Sequence, residues 1–178
     1  MIGLRNIDAK NNGAKLNRAT LILLFSIIIL GITLLSGCAD YKQMIRNNGV
    51  EYSGDSYIEQ AGKGYIENVD LFLKSGIDVD YRDKTNSTAL MQASINGHIN
   101  VVRLLIDKKA DINAKDNGIS TALMHAAYNN HAIIVKLLIE RGADINVKNK
   151  SNETALKFAT RANHVEIIKL LKDVGARQ

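Results

Sequence analysis

The sequence predicts an all-α solenoid of four stacked helix-turn-helix repeats with turns projecting from one edge. Three observations lead there. Short motifs return every 33 residues: Thr88-Ala89-Leu90-Met91, Thr121-Ala122-Leu123-Met124 and Thr154-Ala155-Leu156-Lys157 keep that spacing, and so do His98, His131 and His164. Within a period, apolar side chains such as Val101, Val102, Leu104 and Leu105 recur at helical spacing and share one face. Between successive helix pairs lie segments rich in Asp, Asn and Gly, residues 77–87, 110–120 and 143–153, which read as polar turns. One short helix pair cannot bury its own apolar face, whereas stacked neighbours form a continuous core.

Each period is punctuated in the same order. Thr88, Thr121 and Thr154 stand where a hydroxyl accepts from free amides of a first helical turn, so each is an N-cap. Gly97, Asn130 and Asn163 stop that helix, because Gly and Asn tolerate left-handed backbone. A second helix follows and ends at Gly76, Gly142 or Gly175 in repeats one, three and four. Repeat two has Lys109 there, and a left-handed non-glycine costs about 1 kcal/mol. Asp78, Asp111 and Asp144 recur in the turns and read as turn formers.

This pattern resembles the ankyrin repeat, which reads T-P-L-H, two Ala, G-H, an apolar L-L run, then G-A-D and N. The resemblance covers residues 56–178, with repeats at 56–82, 83–115, 116–148 and 149–178. Repeat one lacks the opening motif but keeps Gly64, Val69, Leu71, Leu73, Gly76 and Asp78, as an N-terminal cap does. The chain has no proline, so Ala89, Ala122 and Ala155 hold the family's proline position and keep helical propensity. Ile119 stands where the turn tip usually has Gly, with Gly118 one place earlier, which predicts a reshaped tip.

The resemblance implies a binding surface made of the turn tips, or fingers, and the exposed side of each first helix. By position, the finger candidates are Arg82, Lys84, Thr85 and Ser87; Lys115, Asn117, Gly118 and Ser120; and Lys148, Lys150, Ser151 and Glu153. The helix candidates are Ile95, Asn96, Tyr128, Asn129, Arg161 and Ala162. Tyr128 and Arg161 stand out, since aromatic and Arg side chains are over-represented among residues that carry binding energy. Arg82, Lys115 and Lys148 form a basic row, extended by Lys84 and Lys150. It reads first as a solvated edge that keeps the stack soluble, and second as an electrostatic guide for an acidic partner.

Ahead of the repeats, an uncharged run from Ala19 to Leu35 follows Arg5, Lys10, Lys15 and Arg18. Basic region, apolar core and small residues is the order of an export signal. The run's length allows either a cleaved signal or a retained anchor. Leu35-Ser36-Gly37-Cys38 resembles the lipobox of bacterial lipoprotein precursors, which implies cleavage before Cys38 and acylation of its thiol. Cys38 is the only cysteine, so it has no intramolecular disulfide partner. The alternative is an incidental cysteine at the end of a membrane anchor. These readings divide the chain into a signal peptide at 1–37, a lipidated N-terminus and polar tether at 38–55, and the repeat domain at 56–178. They place it in the bacterial cell envelope, on the outer membrane where Ala39 follows Cys38 and the host has two membranes.

Residues 1–37 hold four basic and one acidic side chain, so removing them lowers the formal net charge from +5 to +2. The basic character therefore argues little for nucleic acid, and no nucleic-acid partner is expected. The periodic histidines are spaced about a helix diameter apart, roughly 10 Å, whereas zinc donors sit about 2 Å from one centre. No metal site is expected, and the resemblance implies that His98, His131 and His164 tie neighbouring loops by hydrogen bonds. His125 reads as a packing or surface residue. No phosphate loop, paired carboxylates or nucleophile motif is present, so no enzyme, cofactor or small-molecule substrate is expected. The function expected is a membrane-tethered module binding another protein. A structural subunit of an envelope complex and an inhibitor or immunity-type protein are the alternatives.

Overall fold

The computed structural model describes residues 37–177, and among them there are nine helices and no strand. Residues 37–47 are helical and form α1. The repeats follow as pairs: α2 (Gly54–Lys63) with α3 (Ile66–Lys74), α4 (Ala89–Ile95) with α5 (Ile99–Asp107), α6 (Ala122–Tyr128) with α7 (Ala132–Glu140), and α8 (Ala155–Arg161) with α9 (Val165–Asp173). No helix among the described residues is long and apolar enough to cross a membrane. The signal-peptide reading of 1–37 lies outside the described residues, apart from Gly37.

The helix boundaries follow from the punctuation. Thr88, Thr121 and Thr154 have extended backbone, and their hydroxyls accept from the amides of Met91, Met124 and Lys157 at 3.3, 3.4 and 3.3 Å. Gly97, Asn130 and Asn163 follow the first helices at φ of 82°, 64° and 57°. Lys109 takes the left-handed backbone, φ 70°, that Gly142 takes one period later at 89°. Repeat one has a full first helix, capped two residues earlier than the period places the threonine: Ser53 accepts from Ser56 N–H at 3.1 Å.

First helices pack on first helices, α2 on α4, α4 on α6 and α6 on α8, and second helices on second helices more loosely. Side-chain size explains the difference. Ala89, Ala93, Ala122, Ala126, Ala155 and Ala159 are all buried in the first-helix layer, and small residues let backbones approach. The second-helix layer is filled by Val102, Leu105, Val135, Leu138, Ile167 and Leu171, which hold their helices further apart. The first helices therefore pack more closely on one another than the second helices do.

Repeat four differs from the two before it in its polar, exposed side chains. Positions filled by Met91 and Met124, both buried, hold exposed Lys157, and Ala127 is matched by exposed Thr160. Lys172 is exposed where Ile106 is buried. A polar outer face on a terminal repeat removes the apolar surface that another repeat would cover.

The expected tether at 38–55 is corrected by its packing. Ile45 is fully buried, and Val50 and Tyr52 pack against the core. Tyr52 stacks on Phe72 with ring centroids 5.5 Å apart, and its hydroxyl accepts from Ser75 at 3.1 Å. Asn48 donates to Asn68 and Asn68 to Gln60, both at 2.8 Å, so a relay of side-chain amides joins the end of α1 to repeat one. Three apolar residues among polar ones suffice, since the face they cover belongs to repeat one.

Candidate protein-binding surface

The frame comes first, because it decides which side chains are left for a partner. His98, His131 and His164 each place Nε2 2.9 Å from a carbonyl of the preceding repeat, those of Gly62, Ile95 and Tyr128. Gly64 and Gly97 are needed beneath the first two rungs: a Cβ there would lie 2.5 Å from the ring of His98 or His131. A second ladder was not recognised in the sequence. Asp80 accepts from Asp111 N–H at 2.9 Å, Asn113 from Asp144 N–H at 2.8 Å and Asn146 from Arg177 N–H at 2.9 Å, each bond spanning 31 residues. Burial lifts the Asp80 carboxyl above the usual carboxylate range, and nearby Asp111 and Asp78 add to that, although the Asp111 amide opposes it.

The fingers share one construction. Asp83 Oδ1 accepts from the amides of Thr85 and Ser87, Asp116 Oδ1 from Gly118 and Ser120, and Asn149 Oδ1 from Ser151 and Glu153, all within 3.0 Å. These three builders also recur every 33 residues, which is the signal that would have found them. For Asp83, burial raises the carboxyl's pKa, but the bonds from Thr85 and Ser87 outweigh it and the net shift is downward. Asp78, Asp111 and Asp144 each accept from the amide two residues on, within 3.0 Å, which is a turn-forming role.

Several candidates are absorbed by this frame. Ser87 is buried and accepts from Gln92 Nε2 at 3.1 Å, so its placement on the binding surface is corrected. Arg82 donates to Lys115 O at 2.9 Å and Asn117 to Lys84 O at 3.3 Å, which stitches the first finger to the second. Asn96 donates to Gly62 O at 2.8 Å, and Asn129 to His125 O at 2.9 Å. Ile95, Ser120, Asn129 and Ala162 are only half-exposed, whereas Lys84, Thr85, Lys115, Lys148, Lys150 and Ser151 are exposed on the fingers.

Between α6 and α8 the surface opens into a hollow of about 180 Å³ lined by Ser120, Met124, His125, Tyr128, Phe158 and Arg161. Tyr128, 51 % exposed, stands edge-on to Phe158 with centroids 5.7 Å apart. Arg161 lies 5.2 Å over the Phe158 ring and donates to Glu153 at 2.7 Å. His125 Nε2 is 3.0 Å from Asp116 Oδ2. The structure thus brings Tyr128, Arg161, Ser120 and Glu153 together. It adds Phe158, Met124 and His125, which occupy the lining.

Two family models describing ankyrin repeats match the chain, one of three copies over residues 115–178 and one of many copies over 57–106 and 90–139. The chain belongs to the ankyrin-repeat family. No curated protein matches it. The matched ankyrin segments extend over the four helix pairs from α2 to α9, and the hollow lies between the last two of them. Cys38 stands in α1, outside the matched ankyrin segments, half-buried and free of any disulfide.

Proposed function

We propose that this chain binds another protein through its fingers and first helices while held on a bacterial envelope membrane by lipid on Cys38. The general role as an interaction module follows from the ankyrin repeats. The observation that carries the binding surface is the Tyr128–Phe158–Arg161 cluster: two aromatic rings and a guanidinium around an open hollow between two first helices. Aromatic and Arg side chains at the centre of a concave patch supply the anchors of protein interfaces. The reading is of binding, as the ankyrin repeats suggest.

Membrane attachment is supported by the lipobox-like tetrapeptide and the single cysteine. Several acyl chains on one residue hold a protein on a bilayer far longer than one chain does. Cys38→Ser is expected to abolish labelling by radioactive palmitate and to leave an uncleaved precursor; unchanged labelling would reject acylation there. For the surface, crosslinking in the native host followed by capture of the full chain is expected to recover a partner that Tyr128→Ala with Arg161→Ala loses. Retention of that partner by the double variant would reject the assigned face.

A further inference from the structure

We propose that the finger edge from Lys115 to Lys150, with the Tyr128–Phe158 hollow beside it, takes an acidic segment of a partner protein that offers an aromatic or branched aliphatic side chain. This rests on the protein-binding reading above and names the chemistry of its partner.

The charge balance of this face comes from what the frame consumes. Asp83 and Asp116 spend their carboxylates on finger amides, Asp116 also faces His125, and Glu153 is taken by Arg161. The acidic groups within the fingers are therefore used internally. The lysines are not: among the described residues Lys84, Lys115, Lys148 and Lys150 are exposed and make no ion pair. Lys63, Lys74 and Lys136 pair with Glu59, Asp70 and Glu140, whereas Lys42, Lys108, Lys109, Lys157, Lys169 and Lys172 do not, so what marks the finger lysines is their recurrence along one edge. An edge of unpaired lysines whose neighbouring carboxylates are already engaged in hydrogen bonds attracts a negative segment.

The edge and the hollow are one surface. Lys150 N–H donates to Gly118 O at 2.9 Å, Ser120 two residues on lines the hollow, and Glu153 reaches Arg161 on its far wall. Nucleic acid is the other polyanion such an edge could meet; the ankyrin repeats favour a protein, and an oligothymidylate control separates the two. Ile119 adds a third observation. At the tips of the flanking fingers Asn86 and Asn152 sit at φ 59°, residues suited to that backbone, whereas the middle tip holds a β-branched side chain at φ 64° and 36 % exposed. An apolar group is thus presented beside the hollow at a conformational cost, a combination associated with functional sites.

The test uses the full chain in neutral detergent and, as ligand, a random copolymer of glutamate and tyrosine in a four-to-one ratio, followed by fluorescence anisotropy. Controls are poly-glutamate and oligothymidylate of similar length. The copolymer is expected to bind more tightly than either control and to weaken with added salt. Lys115→Glu with Lys148→Glu and Lys150→Glu is expected to weaken it at least about tenfold at low salt. Tyr128→Ala is expected to erase the preference over poly-glutamate. Ile119→Asn is expected to weaken binding at least about threefold while raising the melting temperature, which a purely structural role does not do. Copolymer binding unchanged by the three reversals, or matched by oligothymidylate or poly-glutamate, overturns the proposal. If a native partner is captured through the same face while copolymer binding ignores the lysines, the acidic-segment assignment falls and the protein-binding reading stands.

Discussion

Residues 88–120 and 121–153 are the same module one period apart, yet they are built to different standards. The later module has Ala127, Gly142 and Asn152 where its backbone and packing call for them. The earlier one has Ser94, Lys109 and Ile119 at the same positions. Ser94 is buried with a hydroxyl that finds no partner, and the other two hold left-handed backbone with side chains poorly suited to it. Both modules nonetheless share the threonine cap, the histidine rung and the finger bonds to nearly identical distances. The period supplies enough repeated bonds that local misfits are carried without changing the frame.

Exchanging residues between the modules tests that view. Ser94→Ala removes an unpaired buried hydroxyl and is expected to stabilise the stack by about 1–2 kcal/mol in urea unfolding; Ala127→Ser should cost a similar amount. Equal stability in both exchanges would mean that the hydroxyl finds water. Ile119→Asn relieves left-handed strain of about 1–2 kcal/mol and gives up some apolar contact, for a net gain of about 1 kcal/mol. A net loss would show that the tip is packed more firmly than its exposure indicates. Lys109→Gly follows at about 0.5 kcal/mol, because the strain relieved is partly offset by the freer unfolded chain. A lowered melting temperature there would mean that the turn needs the lysine stem.

The smallest effect is expected at the second ladder, where the earlier module is held by charged Asp80 and the later one by neutral Asn113. The folded-state pKa of Asp80 is raised, so its ionised form costs stability at neutral pH. That cost fades as pH falls through the raised pKa and is gone below the unfolded value. Asp80→Asn should therefore raise the melting temperature slightly at pH 7, with the gain vanishing in acid. A gain independent of pH would remove charge as the cause.

Much of the stack was legible in the sequence because its determinants repeat. Threonine caps, helix-ending glycines and the left-handed Lys109 all follow from position within the period. What escaped was non-periodic or diagonal. Tyr52 read as spacer because its partner, Phe72, belongs to another element, and Ile45 because the residues around it are mostly polar. Ser87 read as surface because its neighbours are polar, yet Gln92 folds over it. The Tyr128–Phe158 pair crosses the register: the period aligns Tyr128 with Arg161 and His125 with Phe158, so a contact between 128 and 158 is not written in the alignment of repeats.

The burial of Ile45 sets the reach of the molecule. Seven residues of helix separate it from Cys38, a rise of about 10 Å. Under the proposed acylation there is no leash to pay out, and the fingers cannot fish at a distance from the bilayer. Such a reader searches in two dimensions: it meets partners that travel in, or come down to, the same sheet of lipid.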